Sequence, residues 1–141
     1  MSTTRASDRS SVPVAAPSAI RVLPAVPATV PVLRAFARQT VTRWGGDDRA
    51  REDLALIVTE LVTNACRHSG SPYVSGYLFR DGHTVGVRVS DMGSWRQPER
   101  GNADDDLHGR GLLLVEAHAE TVRIRRTSTG TQVTATVAVG A

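Results

Sequence analysis

The stretch 48–68, DRAREDLALIVTELVTNACRH, decides how this chain is read. Leu54, Ile57, Val58, Leu61 and Ala65 recur at helical spacing, so the segment predicts an amphipathic helix that buries this stripe. Asp47 or Asp48 supplies the cap at its start, and Ser69-Gly70 stops it. Glu60, Asn64 and Arg67 fall together on a different face of the same helix. A carboxylate one turn before an amide can accept a proton while the amide oxygen holds a hard cation. The same pair also reads as a solvated glutamate and an ordinary surface asparagine, and the helix alone does not choose.

Working outward, Ala19–Leu23 alternates as a strand, and Pro24, Pro27 and Pro31 end it. Pro31 then opens a first helix running to Trp44, with Val32, Leu33, Phe36 and Val41 apolar and Gly45-Gly46 breaking the chain. On the other side, strands over 73–80 and 84–90 are joined at Asp81-Gly82, a strong hairpin signal. Residues 92–108 form a long turn-rich loop, a feature usually tied to function in a small domain. Leu112–Ala119 follows as a short helix. A second hairpin, 121–126 and 131–139, turns around Ser128-Thr129-Gly130. The order β-α-α-β-β-loop-α-β-β predicts an α+β fold, a two-layer α/β sandwich with helices on one face of a mainly antiparallel sheet. Residues 1–17 are too polar to bury much surface and read as a flexible tail, leaving 18–141 as a single domain.

Composition removes several chemistries. All 17 basic residues are arginine, since the 141-residue chain contains no lysine. A P-loop, the protein-kinase strand lysine and a Schiff-base amine are therefore excluded. One cysteine, Cys66, rules out an internal disulfide and a multi-cysteine zinc cluster. The four histidines show no metal-ligand spacing. No apolar run approaches the roughly 18 residues of a membrane span, and the N-terminal residues lack a signal-peptide core, so the expectation is a cytoplasmic protein with no membrane partner. The net charge is only +3 and aromatics are 4%, which argues against a direct nucleic-acid partner; Arg123-Ile124-Arg125-Arg126 reads as a solvated strand edge.

Two further segments carry chemistry. Asp91-Met92-Gly93 closes a strand, where a fixed carboxylate can accept from the exocyclic amine of adenine and a glycine lets a flat ring approach the backbone. It reads equally as a plain strand-ending turn. His108-Gly109-Arg110-Gly111-Leu112 enters a helix, and exposed amides at such an entry favour an anion without needing lysine. Alone, a G-x-G is weak evidence for phosphate.

Taken in order, Glu60-Leu-Val-Thr-Asn64-Ala, Asp91-Met-Gly93, Gly109-Arg-Gly111-Leu112 and Gly130-Thr131 resemble the Bergerat ATP-binding domain shared by gyrase, sensor histidine kinases and the MutL repair protein. Within that superfamily the chain, over about residues 19–139, looks most like the small anti-sigma factor/serine kinases of actinobacteria, with their ELVTNA and GRGLLLVEA strings. The resemblance implies ATP and Mg²⁺ as cofactors, with Asn64 as the Mg²⁺ ligand and Glu60 as the general base. It implies that Asp91 bonds the adenine amine with Thr131 in support, and that Gly93 lies under the ring. Gly109, Gly111 and Leu112 would cradle phosphates through main-chain amides, with Arg110 adding charge. The implied activity is a serine/threonine protein kinase that phosphorylates a STAS-type anti-anti-sigma partner and sequesters a sigma factor, with contacts involving Arg34, Arg38 and Arg43 and a possible homodimer. The alternative is a nucleotide-dependent switch that acts by sequestration alone. The chain departs from the larger families in one place: Ser94-Trp95 follow Gly93 where a second glycine is usual, which bears on the hinge of the lid over residues 94–108.

Overall fold

The computed structural model describes residues 16–68, 70–92 and 112–140. Five strands, β1 (Ser18–Pro24), β2 (Tyr73–Asp81), β3 (Thr84–Asp91), β4 (Thr121–Thr127) and β5 (Gly130–Ala138), form one sheet in the order β1-β2-β3-β5-β4. Every pairing is antiparallel. Three helices, α1 (Thr29–Arg43), α2 (Asp48–His68) and α3 (Leu112–His118), are described, and α2 packs across β2, β3 and β5. The expected two-layer α+β sandwich is the one observed. The tail read at 1–17 lies almost wholly outside the described residues.

The long helix forms where its stripe predicts. Leu54, Ile57, Val58, Leu61 and Ala65 are all buried against the sheet, joined by Ala50 and Val62. Asp47 is the cap: its Oδ1 accepts from the Ala50 amide at 2.8 Å, satisfying one of the donors that a helix start leaves without a partner. Gly70, just past the helix end, sits at φ 73, a left-handed conformation that glycine adopts without penalty.

Several boundaries differ from expectation. The first helix begins at Thr29, so Pro31 stands inside its first turn rather than opening it. That turn has no intrahelical acceptor for its amides, so the missing N–H of proline costs nothing there. Thr29 Oγ1 also donates to the Pro24 carbonyl at 2.6 Å, which ties the helix start to the end of β1. On α1 the buried set is Thr29, Leu33, Ala37, Thr40 and Val41, while Val32 is exposed and Phe36 only partly buried beneath the Arg21 guanidinium at 4.9 Å. Both hairpin loops sit one residue away from the turn read in the sequence. Asp81 pairs with Thr84 and leaves Gly82-His83 as the loop, with Gly82 at φ 61. Gly130 likewise pairs with Thr127 inside the ladder.

The sheet registers place rows of side chains across its two faces. On the helix side, Ala19, Leu78, Val87, Ala135 and Val122 form one row, and Arg21, Gly76, Val89, Val133 and Ile124 the next. The row after that is Leu23, Val74, Asp91, Thr131 and Arg126. Polar residues thus enter the helix-covered face where β3 ends and β5 begins.

Candidate functional site

Asp91 and Thr131 are direct cross-strand partners on the helix-covered face, and each is buried, at 6% and 2% exposure. Burying a carboxylate and a hydroxyl side by side is costly unless both are satisfied, so the pair marks this end of the sheet as polar by design of the sequence rather than as core. Gly130 is what allows the strands to close here. A Cβ on it would lie 2.1 Å from the Asp91 carbonyl oxygen, so only glycine permits this approach.

Ser71, which the sequence reading did not single out, fixes the same corner. Its Oγ donates to the Tyr73 carbonyl at 2.6 Å and accepts from the amides of Tyr73 and Met92, at 3.2 and 3.1 Å. One buried hydroxyl therefore clamps the start of β2 to the residue that follows Asp91. No motif in the sequence flags it, because the two segments meet only through the β2–β3 register. A hollow of about 480 Å³ lies at this end of the sheet, walled by Ser90, Gln132 and Arg125 of the opposite face together with Asp91, Met92, Thr127 and Gly130, and without Glu60 or Asn64.

On α2, Glu60 is half-buried and Asn64 is buried at 7% exposure one turn later. The Asn64 Nδ2 has no hydrogen-bond partner among the described residues. An amide held at the edge of the core with an unmet donor fits a missing polar ligand. Its Oδ1 is the hard oxygen that Mg²⁺ takes, and Mg²⁺ commonly uses one or two protein oxygens together with phosphates and waters rather than an all-protein cage. Among the described residues there is no group of three or more acidic, histidine or cysteine side chains that could hold a metal ion. Arg67, on the same helix face, is exposed.

Leu112 opens α3 with its side chain buried in the core, which seats the start of that helix against α2. Gly93, Gly109, Arg110 and Gly111 lie outside the described residues. The arginines of α1 are partly engaged: Arg34 donates to Thr59 Oγ1 at 3.4 Å, and Arg38 pairs with Glu52 at 3.0 Å. Cys66 is partly buried with its Sγ 3.6 Å from the Val26 carbonyl, and burial pushes its thiol up, away from the reactive thiolate.

A histidine kinase-like ATPase domain model matches residues 23–137, most of the chain. The chain belongs to that family. Among solved structures it is similar to the RsbU and RsbW domains of Rv1364c from Mycobacterium tuberculosis, at 26% identity and a TM-score of 0.65. That match covers 86% of this chain and 32% of the other, so the chain spans about a third of that relative's length. It also resembles the Acinetobacter baumannii histidine kinase AdeS (14% identity, TM-score 0.53, 87% of this chain and 68% of that one). A third likeness is the histidine kinase domain of the blue-light activated kinase from Erythrobacter litoralis EL346 (18%, 0.50, 78% and 61%). At those identities the two histidine kinases speak for the fold alone. No curated protein sequence matches the chain. As a histidine kinase-like ATPase domain the protein binds ATP, and its Bergerat-type fold is the one its motif order implies. Among the described residues, no helix is long and apolar enough to cross a membrane.

Proposed function

We propose that this ATPase domain is a serine/threonine protein kinase of the anti-sigma type, which phosphorylates a STAS-type anti-anti-sigma protein and sequesters a sigma factor. The observation that carries the reading is the buried Asp91–Thr131 pair beside α2, on which Glu60 and Asn64 stand one turn apart. The likeness to the RsbU and RsbW domains of Rv1364c supports the choice of this group within the family.

In this reading Asp91 accepts from the adenine exocyclic amine, and Thr131 supports it from the neighbouring strand. An acceptor at that position selects adenine over guanine, which presents a carbonyl oxygen there. Gly93 lies under the ring, and the amides of Gly109, Gly111 and Leu112 hold phosphate oxygens, with Arg110 adding charge. Asn64 holds Mg²⁺, which when bound neutralises phosphate charge. Glu60 takes the proton of the partner's serine or threonine hydroxyl as its oxygen attacks the γ-phosphorus. The bond from that phosphorus to the β–γ bridging oxygen breaks, and ADP leaves. Phosphoryl transfer asks chiefly for positioning and charge stabilisation, so the absence of lysine is no obstacle.

Calorimetric titration with ATP, ADP and GTP tests the pocket, and Glu60→Gln tests the chemistry. Adenine-selective binding with transfer to a purified STAS-domain protein is the expected result. Glu60→Gln should keep ATP affinity and lose transfer by about 10²–10⁴-fold, the usual worth of a general base. Transfer undiminished in that variant overturns the assignment of Glu60. Nucleotide binding without transfer by the wild type leaves a switch that acts by sequestration alone.

A further inference from the structure

The face of the sheet turned away from the helices carries a different pattern. Its central row is Ile20, Tyr77, Arg88, Thr134 and Arg123. One flanking row is Val22, Ser75, Ser90, Gln132 and Arg125, and the other is Ser18, Phe79, Gly86, Thr136 and Thr121. None of these side chains is a carboxylate. The described ion pairs all lie on the helix layer, where Arg38, Arg49 and Arg51 find Glu52, Asp53 and Asp48. Arg88, Arg123 and Arg125 have no acidic partner among the described residues. Arg88 instead donates to Thr134 Oγ1 at 3.3 Å and lies over the Tyr77 ring, 5.6 Å from its centroid. The three arginines border a groove of about 300 Å³ floored by threonines.

The opposite half of the same face is apolar and wet. Ile20 and Val22 are 59% and 60% exposed, and Tyr73 beside them is 49% exposed. A surface with bare aliphatic side chains on one half and unpaired guanidinium groups on the other is complementary to a partner that is itself divided, apolar on one side and anionic on the other. A single-stranded nucleic acid would meet the arginines through phosphates, but it stacks on aromatic faces. Here Arg88 already covers Tyr77, Ile20 and Val22 offer no stacking surface, and Tyr73 is a single exposed ring rather than a platform for successive bases. An amphipathic helix satisfies both halves. Its width of about 10–12 Å covers two inter-strand spacings of about 4.8 Å, from β1 to β3, with the long arginines reaching in from β4.

We infer that the helix-free face of the sheet docks an acidic amphipathic helix of a partner protein, its apolar stripe on Ile20, Val22 and Tyr73 and its carboxylates on Arg88, Arg123 and Arg125. These side chains lie on the face of the sheet opposite Asp91 and Thr131, with Arg125 and Asp91 sharing the walls of one hollow at its end, and the peptide test does not depend on the kinase reading. Three labelled probes are titrated against the full chain by fluorescence anisotropy: a peptide of about 18 residues with a leucine stripe flanked by glutamate, its lysine-for-glutamate counterpart, and an oligothymidylate. The glutamate peptide binds, and the other two bind at least about tenfold more weakly. Its affinity falls about tenfold in Arg123→Glu/Arg125→Glu and in Ile20→Asp, and is unchanged in Arg49→Glu, an equivalent charge reversal on the helix layer. Thermal melts and ATP binding of the variants confirm an intact fold. Equal binding of the lysine peptide, tighter binding of the oligothymidylate, or indifference to the Arg123 and Arg125 reversals overturns the inference. So does a wild-type dimer that Ile20→Asp dissociates, because a second copy then occupies the face.

Discussion

The two ends of the sheet each bring an aspartate against a glycine, and the two pairs do different work. At one end Asp47 lies so close to Gly140 that a Cβ there would fall 2.2 Å from its Oδ2, and Gly140 sits at φ 106. The Asp47 carboxylate is committed to the Ala50 amide, and its own amide donates to the Val139 carbonyl at 3.1 Å. At the other end Gly130 approaches the backbone of Asp91, which leaves the Asp91 side chain on the helix-covered face beside Thr131. The first aspartate is consumed in starting a helix. The second is placed by its backbone so that its carboxylate is a feature of the face. A buried acid set directly across from a buried hydroxyl at the end of its strand is the better candidate for recognition, and the contrast can be attacked directly.

The largest expected effect is on binding. In the kinase reading, Asp91→Asn turns an acceptor into a group that can present N–H donors to the adenine amine, and ATP affinity falls by about 100-fold or more, as expected when a buried hydrogen bond to a charged group is lost. Its melting temperature changes little. Asp47→Ala should do the reverse: ATP affinity holds while stability drops by about 1 kcal/mol, the usual worth of an N-cap. If calorimetry and thermal melts on the two variants give the same profile, the division between the two ends is wrong.

The glycines sharpen the same point. Gly130→Ala forces the methyl group against a backbone oxygen that can move only by shifting β3, so it costs about 1–3 kcal/mol and also weakens ATP binding through Asp91. Gly140→Ala displaces the Asp47 carboxylate from its cap and also takes a left-handed conformation, together about 2–3 kcal/mol, with ATP affinity unchanged. Urea unfolding alongside calorimetry separates the two.

Two buried polar atoms that lack partners among the described residues form a second contrast. Thr40 Oγ1 is sealed beneath α1 at 0% exposure, whereas Asn64 Nδ2 stands on α2 one turn after the half-buried Glu60. Thr40→Val removes an unsatisfied hydroxyl from a site with no ligand to meet it and should raise stability by about 1 kcal/mol. Asn64→Ala should leave stability nearly unchanged and abolish Mg²⁺-dependent ATP binding. A loss of stability in Thr40→Val, read from its urea midpoint, would show that the hydroxyl is satisfied after all.

Much of this was legible in the sequence because the helix layer writes itself locally. The Leu54–Ala65 stripe, the Asp47 cap and the Gly70 stop are contained within one segment, and so is the spacing of Glu60 and Asn64. Asp91 is legible as a strand-end carboxylate and Thr131 only through the family resemblance, while their direct pairing is a property of the β3–β5 register. What escaped is what depends on strands far apart in the chain. Ser71 meets Met92 across 21 residues, and Arg88 joins Arg123 and Arg125 only through β5. The run at 123–126 reads along the chain as a solvated edge. In the fold its alternate residues part company, Arg123 and Arg125 going to the helix-free face and Arg126 to the row of Asp91.

The smallest effect belongs to the helix layer, where charges pair in water. Glu52 accepts from Arg51 at 3.0 Å and from Arg38 at 3.0 and 3.2 Å. The Arg51 hydrogen bond, then that of Arg38, holds its carboxyl below the usual 4.5. A carboxyl depressed in the folded state adds stability that is fully present above its unfolded value and is lost as pH falls through the folded one. Melts of wild type and Glu52→Gln should therefore differ most near neutrality and converge on acidification below about pH 4, the region of an unperturbed glutamate. Because Glu52 is exposed, the gap is small and shrinks further in salt. A gap that persisted undiminished at low pH would mean that packing of the glutamate stem, and not its charge, links α1 to α2.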